Sequence, residues 1–153
     1  MQIITLDKGR AMDYYSNLLE FIIKVDAFFE PPLSKRVNLE SYAKKLCQEA
    51  NLIVCIEHSK IQGACAYYCT PDKYEYAFLS FISTLQKGLG SRLVEKMILS
   101  CKEYGVKGIE TQTWETNSRS LNMFLRYNFQ EVEKVDNRGS EAKSVLLKLK
   151  FYD

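Results

Sequence analysis

A chain of 153 residues with 46% hydrophobic and 26% charged residues has the composition of a globular protein and the length of one domain, so residues 1–153 are expected to fold as a single unit. The formal net charge is only +2 and no Lys/Arg run exceeds two residues, which argues against nucleic acid or an anionic membrane as the main partner. No stretch approaches the roughly 20 apolar residues of a membrane span, and MQIITLDKGR lacks the charged-then-apolar plan of a signal peptide, so the expected location is the cytoplasm.

The opening Ile3 to Leu6 is short and β-prone. From about Arg10, the residues Tyr14, Leu18, Phe21, Ile22, Val25 and Phe28 recur at helical intervals until Pro31-Pro32, where a helix must end. Asn38 can cap a second helix whose apolar stripe (Leu39, Tyr42, Ala43, Leu46, Cys47, Ala50) is spaced three and four apart. LIVCIE (52–57) and IQGACAYYC (61–69), joined by the polar HSK, predict a β-hairpin. YEYAFLSFIS (74–83), after the turn residues Thr70 to Lys73, predicts a third consecutive antiparallel strand.

A helix follows from Gly88 to Tyr104, with Leu89, Leu93, Val94, Met97, Ile98 and Cys101 on one side and Gly105 placed to end it. VKGIETQT (106–113) is then a strand, parallel to 74–83 if the helix between them is a crossover. The helix NSRSLNMFLRYNF (117–129), the strand FQEVEKV, the polar loop 136–144 and the strand VLLKLKFY (145–152) complete the chain. The order βααβββαβαββ describes an α+β (mixed α/β) domain: one mostly antiparallel sheet with a parallel step, flanked by four helices.

The five cysteines are odd in number, never spaced C-x-x-C, and sit in apolar runs, as reduced core residues do. The single histidine, His58, lies in the polar run between two apolar segments and reads as a turn residue; no metal site is expected. The strongest chemical cue is SFISTLQKGLGSRLVEKM (80–97), where a strand leads into Gly88-Leu89-Gly90 at a helix start. Such a turn offers unpaired backbone N–H groups to a phosphate, and glycine lets the ligand approach the backbone; the same pattern also describes a plain tight turn capped by glycine. A P-loop is excluded because no G-x-x-x-x-G-K-[ST] occurs, and G-x-G-x-x-G is incomplete, with Leu93 at the third glycine position.

With these elements in place, the chain resembles the GNAT superfamily of acetyl-CoA-dependent N-acetyltransferases over nearly its whole length. The family's pyrophosphate loop, Q/R-x-x-G-x-G/A, is similar to Leu85-Gln86-Lys87-Gly88-Leu89-Gly90, with Leu85 in the Gln/Arg position and Gln86 one place later. The family segment W-E-x-N-x-R-A-x-x-x-Y-x-x-x-G-F resembles the stretch from Trp114-Glu115-Thr116-Asn117-Ser118-Arg119-Ser120 through Phe124 to Asn128-Phe129. Ser120 replaces a small alanine, and Asn128 replaces the glycine with the residue that next best tolerates a left-handed conformation.

The resemblance implies a sheet splayed between its fourth and fifth strands, with acetyl-CoA in the wedge. It implies that backbone near Phe81 and Ile82 contacts the pantetheine and acetyl group. Gln86, Lys87, Gly88, Leu89, Gly90 and Ser91 would then cradle the pyrophosphate, Asn117 would make a polar contact to the arm, and Phe124 would face the cofactor cleft. A free amine is largely protonated near neutrality, so a base or water chain must remove a proton before it attacks. Glu75, early in the fourth strand, is the first candidate base, ahead of Glu110 and Glu115; the alternative is an exposed strand-end glutamate.

Where the family commonly has a tyrosine that protonates the leaving thiolate, this chain has Phe124, which keeps the ring and loses the proton. Tyr127, one helical turn on, either supplies the missing hydroxyl or packs. Acceptor recognition would fall to the first two helices and the loop Phe28 to Arg36, whose two prolines stiffen it and whose Arg36 could pair with a carboxylate or phosphate. The expected function is N-acetyl transfer to the primary amine of a small molecule, an amino sugar being one candidate, by a monomer or homodimer. The alternative is a catalytically weak acyl-CoA-binding module on the same fold.

Overall fold

The computed structural model describes residues 1–152. Its strands are β1 (Gln2–Leu6), β2 (Asn51–Glu57), β3 (Lys60–Tyr68), β4 (Tyr76–Thr84), β5 (Gly108–Trp114), β6 (Gln130–Val135) and β7 (Ser144–Lys150). Its α-helices are α1 (Tyr15–Val25), α2 (Leu39–Glu49), α3 (Leu89–Tyr104) and α4 (Ser118–Arg126). The seven strands form one sheet in the order β1-β2-β3-β4-β5-β7-β6, antiparallel throughout except for β4 and β5. That parallel step exists because α3 carries the chain from the end of β4 back to the start of β5, as the element order predicts.

Local chemistry sets the ends of the elements. Expected as one helix from about Arg10 to Phe28, the first helical segment is α-helical only over Tyr15–Val25, with 3-10 turns at Ala11–Tyr14 and Asp26–Phe28. At its far end the Asp26 carboxylate accepts from the Ser34 amide at 2.7 Å and from the Ser34 hydroxyl at 2.6 Å, a local polar bond that competes with continuing the helix. Asn38 caps α2 by accepting from the Ser41 amide at 2.9 Å. His58 and Ser59 take left-handed φ values of 54° and 63° in the two-residue turn between β2 and β3. β4 begins at Tyr76 rather than Tyr74, because the Thr70 carbonyl ties the Lys73 and Tyr74 amides, each at 3.0 Å, into the preceding turn.

Each face of the sheet carries its own core. Beneath α3 and α4 lie Cys65, Tyr67, Ala77, Leu79, Leu93, Met97, Ile109 and Phe124; beneath α1 and α2 lie Phe21, Ile22, Leu46, Ala64, Ala66 and Phe81. Leu79 and Phe81 are two residues apart on one strand and belong to opposite faces. The reason is a β-bulge: Tyr67 pairs with Leu79 and Ala66 with Phe81, leaving Ser80 as the extra residue on β4. Just there the sheet forks. β4 pairs with β5 only from Tyr76 to Leu79 against Gly108 to Thr111, while β4 stays paired to β3 as far as Thr84 and β5 to β7 as far as Trp114.

Candidate active site

Beyond the fork, Ser80 to Thr84 and Gln112 to Trp114 face each other without pairing, so two strand edges present backbone donors and acceptors to the space between them. The apex is pinned by Thr111, whose buried hydroxyl donates to the Leu79 carbonyl at 2.9 Å. A cleft of about 780 Å³ fills the gap, open toward the α3–α4 face and toward the α1–α2 face. Lys87, Arg119, Arg126, Arg36 and Arg138 line it, and among the described residues no aspartate, glutamate, histidine, cysteine or tyrosine does. An all-cationic lining suits an anionic ligand.

On the α3–α4 side, Gly88 holds φ of 88° at the start of α3, and no side chain caps that helix end. The first-turn amides are therefore left for a ligand, whereas α2 and α4 are capped by asparagines. A Cβ on Gly88 would meet nothing within 4 Å, so glycine is needed there for its backbone conformation; one on Gly90 would stand 3.0 Å from Met123 Sδ, so Gly90 lets α3 and α4 come together. Asn117 caps α4, accepting from the Ser120 amide at 3.4 Å while its Nδ2 donates to Thr113 Oγ1 at 2.9 Å, which ties the helix to the β5 edge. The Phe124 ring is 1% exposed and packs on Phe129 with centroids 5.1 Å apart.

The α1–α2 side is aromatic. Phe29 lies 5.4 Å from Phe81 and 5.8 Å from Trp114, and Tyr42 packs on Phe81 at 6.3 Å. Burial raises the Tyr42 hydroxyl above its ordinary value, with Ser80 opposing, so Tyr42 stays protonated. Arg138 sits over the Trp114 ring at 5.3 Å and is only 8% exposed. Its Nε donates to the Glu30 carbonyl at 2.6 Å and its Nη1 to the Ser144 hydroxyl at 2.9 Å, which joins the β6–β7 loop to the loop between α1 and α2. Burial and the neighbouring Arg36 push the Arg138 guanidinium below its ordinary value, and Glu30 partly offsets them.

Among the residues expected at the site, Phe81, Ile82, Lys87, Gly88, Gly90, Ser91, Asn117 and Phe124 line this cleft. Four others do not. Gln86 turns away, its Nε2 donating to Glu57 at 2.8 Å and toward Gln62 at 3.4 Å, because Leu85 pairs its amide with the Gln62 carbonyl and sets the chain against the β2–β3 hairpin. The Leu89 side chain is buried in the core, so only its backbone is available at the helix start. Glu75 precedes β4 at the paired end, on the far side of the fork, where its 68%-exposed carboxylate meets Lys107 at 3.1 Å beside a separate groove. Glu110 lines that groove too. Tyr127 follows α4 and donates its hydroxyl to Glu95 at 2.7 Å; burial and the Glu95 carboxylate raise its pKa, so the proton is held on α3 and not offered to the cleft.

Phe29 and Arg36 belong to the loop expected to meet the acceptor, whereas the sequence assigns no role to Arg138, Trp114, Thr111 or Ser80. For Arg138 the local signal was slight: a polar loop with Gly139 at φ 69° and a serine at the next strand start.

Among solved structures the whole chain superposes on several acetyltransferases. An acetyltransferase of the GNAT family from Streptococcus pneumoniae matches with a TM-score of 0.70 at 15% identity, covering 97% of this chain and 99% of that one. The fold is that of the GNAT acetyltransferases. The ribosomal-protein-S18-alanine N-acetyltransferase of Escherichia coli shares the GNAT fold at a TM-score of 0.71 and 14% identity, over 97% of this chain and 92% of its own. An acetyltransferase from Salmonella typhimurium, solved with its cofactor acetyl-CoA, matches at a TM-score of 0.69 and 12% identity over 100% of this chain and 95% of that one. No protein-family profile and no curated protein sequence matches the chain.

Proposed function

We propose that this protein is an acetyl-CoA-dependent N-acetyltransferase that acylates the primary amine of a small molecule by direct attack in a ternary complex. The observation that carries the reading is the forked sheet: a passage with unpaired strand edges, reached from one face past an uncapped helix N-terminus and lined by cations. The groups present fit acetyl-CoA. The first-turn amides from Gly88 to Ser91, with Lys87, suit a pyrophosphate; the free edge of β4 at Phe81 and Ile82 suits an extended amide-bearing arm added as a surrogate strand. Bound there, acetyl-CoA supplies an activated thioester: the amine nitrogen bonds to the carbonyl carbon, the carbon–sulfur bond breaks, and the proton lost by the amine ends, through solvent, on the departing sulfur.

The chain's own part is positional and electrostatic. A backbone N–H of β4 beyond the bulge is a fixed donor for the developing oxyanion and requires no particular side chain. Phe124 walls the cleft on the α4 side and gives up no proton, so water protonates the sulfur; with a thiol reference pKa of about 8.5, that anion is a tolerable leaving group near neutrality. Neither Glu75 nor Tyr127 takes part. With no carboxylate or imidazole on the lining, the amine sheds its proton to water, and the surrounding cations favour its neutral form.

A thiol-release screen with acetyl-CoA and a broad amine panel tests the reading, with acetylated products identified by mass spectrometry. Turnover of at least one small amine is expected. Tight acetyl-CoA binding without any turnover would instead mark the protein as an acyl-CoA-binding module.

A further inference from the structure

At the α1–α2 mouth, two guanidinium groups stand together with no carboxylate in salt-bridge contact among the described residues. Arg36, on the loop between α1 and α2, and Arg138, on the β6–β7 loop, both line the passage, and their charges oppose each other. Among the described residues neither makes an ion pair within 4.0 Å. The Asp26 carboxylate is taken by Ser34; the Glu30 side chain, whose charge partly offsets the two cations, does not line the cleft, and Glu30 bonds Arg138 only through its backbone carbonyl.

Arg138 is a built group. Its Nε and Nη1 are held by Glu30 and Ser144, and its plane lies over Trp114. Ser144 in turn donates to Asn137 Oδ1, and Asn137 Nδ2 donates to Gln112 Oε1 at 3.2 Å, so the loop is fixed to the β5 edge. Among the described residues Nη2 has no hydrogen-bond partner and no buried side-chain nitrogen is left unsatisfied, so Nη2 is reached by solvent, and Arg138 is one of the residues that line the cleft. Holding a largely buried guanidinium in one orientation, with a donor left free and a second arginine beside it, is costly unless an anion completes the set. Planar fork donors suit a carboxylate or phosphate, which can be taken bidentately.

We infer that the Arg36–Arg138 pair is an acceptor subsite for an anionic group, so that the acetylated amine is borne by a molecule that also carries a carboxylate or phosphate. This rests on the acetyltransferase reading for the identity of the ligand as acceptor, but not for the anion site itself. The subsite selects against polyamines and other purely cationic amines, which would place a positive charge against two guanidinium groups. It also orients the acceptor, since an anion fixed at Arg138 leaves the rest of the molecule to run along Phe29, Phe81 and Trp114 toward the fork.

The chain's one tryptophan is Trp114, under the Arg138 guanidinium, so intrinsic fluorescence reports occupancy of the subsite directly. Protein saturated with CoA is titrated with three amines of similar length: β-alanine, O-phosphoethanolamine and ethanolamine. The two anionic amines are expected to perturb Trp114 saturably, at least about tenfold more tightly than ethanolamine, and the tighter of them identifies carboxylate or phosphate as the natural partner. Arg36 is exposed and makes no side-chain hydrogen bond, so Arg36→Gln should fold normally, weaken both anionic ligands about tenfold and bind ethanolamine no more weakly than the unaltered protein does.

Equal affinity for all three, no response to either anionic amine up to its solubility limit, or unaltered anion binding in Arg36→Gln overturns the inference. Thiol release from acetyl-CoA with the same compounds separates the two claims. Anion binding without transfer to any amine leaves the subsite standing and removes the acetyltransferase reading. Transfer to ethanolamine as efficient as to its anionic counterparts does the reverse.

Discussion

The pH dependence of the reaction follows from what lines the cleft. Arginines, one lysine, serines, threonines, amides and apolar side chains surround the fork, with no carboxylate, imidazole or thiol among the described lining residues, and the adjacent Tyr42 is held protonated by burial. Between about pH 6.5 and 8.5 the free enzyme therefore has no catalytic base to lose its proton. kcat/KM for an aliphatic amine of pKa near 10 should rise tenfold per pH unit, about 100-fold from pH 6.5 to 8.5, because only the neutral fraction of the amine changes. Initial rates at subsaturating amine and saturating acetyl-CoA, read by thiol release in constant-ionic-strength buffers, give this slope. An amine of pKa near 7.7 should level off about two units lower than one near 10, tracking the substrate and not the protein. A plateau at the same pH for both amines would reveal a protein base and refute the reasoning.

Glu75→Gln and Tyr127→Phe should each change kcat by less than about twofold, since the carboxylate of the first pairs with Lys107 at the closed end of the sheet and the hydroxyl of the second is bound to Glu95; a loss of tenfold or more in either would return that group to the chemistry. Phe124→Tyr places a hydroxyl on a ring that lines the cleft, and a rise in kcat of about tenfold is expected where chemistry limits; an unchanged rate would mean that water already protonates the sulfur efficiently. Gly88→Ala meets no steric obstacle but forces alanine to φ 88°, at a cost of about 1–2 kcal/mol, so the KM for acetyl-CoA should rise several-fold with a modest fall in Tm by calorimetry. Burial raises the Cys65 and Cys101 thiols well above their unfolded value, so the stability they contribute is complete below about pH 8.5 and falls as pH rises further. The urea midpoint should be flat from pH 7 to 8 and then drop, each thiol approaching about 1.4 kcal/mol per pH unit; a flat midpoint to pH 10 would contradict their burial.

The helices and strands were legible because their signals are local. The stripe of α2, the glycines bracketing α3 and the asparagine before α4 each act within a few residues, and the single crossover helix then dictates one parallel pair. The fork depends on more distant relations. Nothing in YEYAFLSFIS marks Ser80 as the residue that bulges, yet that one insertion turns Phe81 to the α1–α2 face, and nothing in it shows that pairing with β5 runs only from Tyr76 to Leu79, which leaves Glu75 at the closed end.

Between the two expectations for Tyr127, a long-range contact decides its place. One helical turn after Phe124, it shares that residue's stripe, but it lies at the end of α4, and its hydroxyl finds Glu95 on α3. Arg138 was invisible in its loop because its partners come from elsewhere: the Glu30 carbonyl lies 108 residues away in sequence and Trp114 ends another strand. A polar loop carries no periodicity, so only assembly of the sheet discloses that one of its arginines is buried and aimed.

Acetyl-CoA binding is the most direct test that the forked sheet is a thioester site. At about 100 times its dissociation constant, a ligand bound only by the folded protein adds about 2.7 kcal/mol, which for a chain of this length raises Tm by about 5–10 °C. Thermal unfolding with acetyl-CoA should show that rise, and Ser83→Trp, which fills the passage between the strand edges, should abolish it. No shift with acetyl-CoA at millimolar concentration, or an equal shift in Ser83→Trp, would mean that the passage between β4 and β5 does not hold the cofactor.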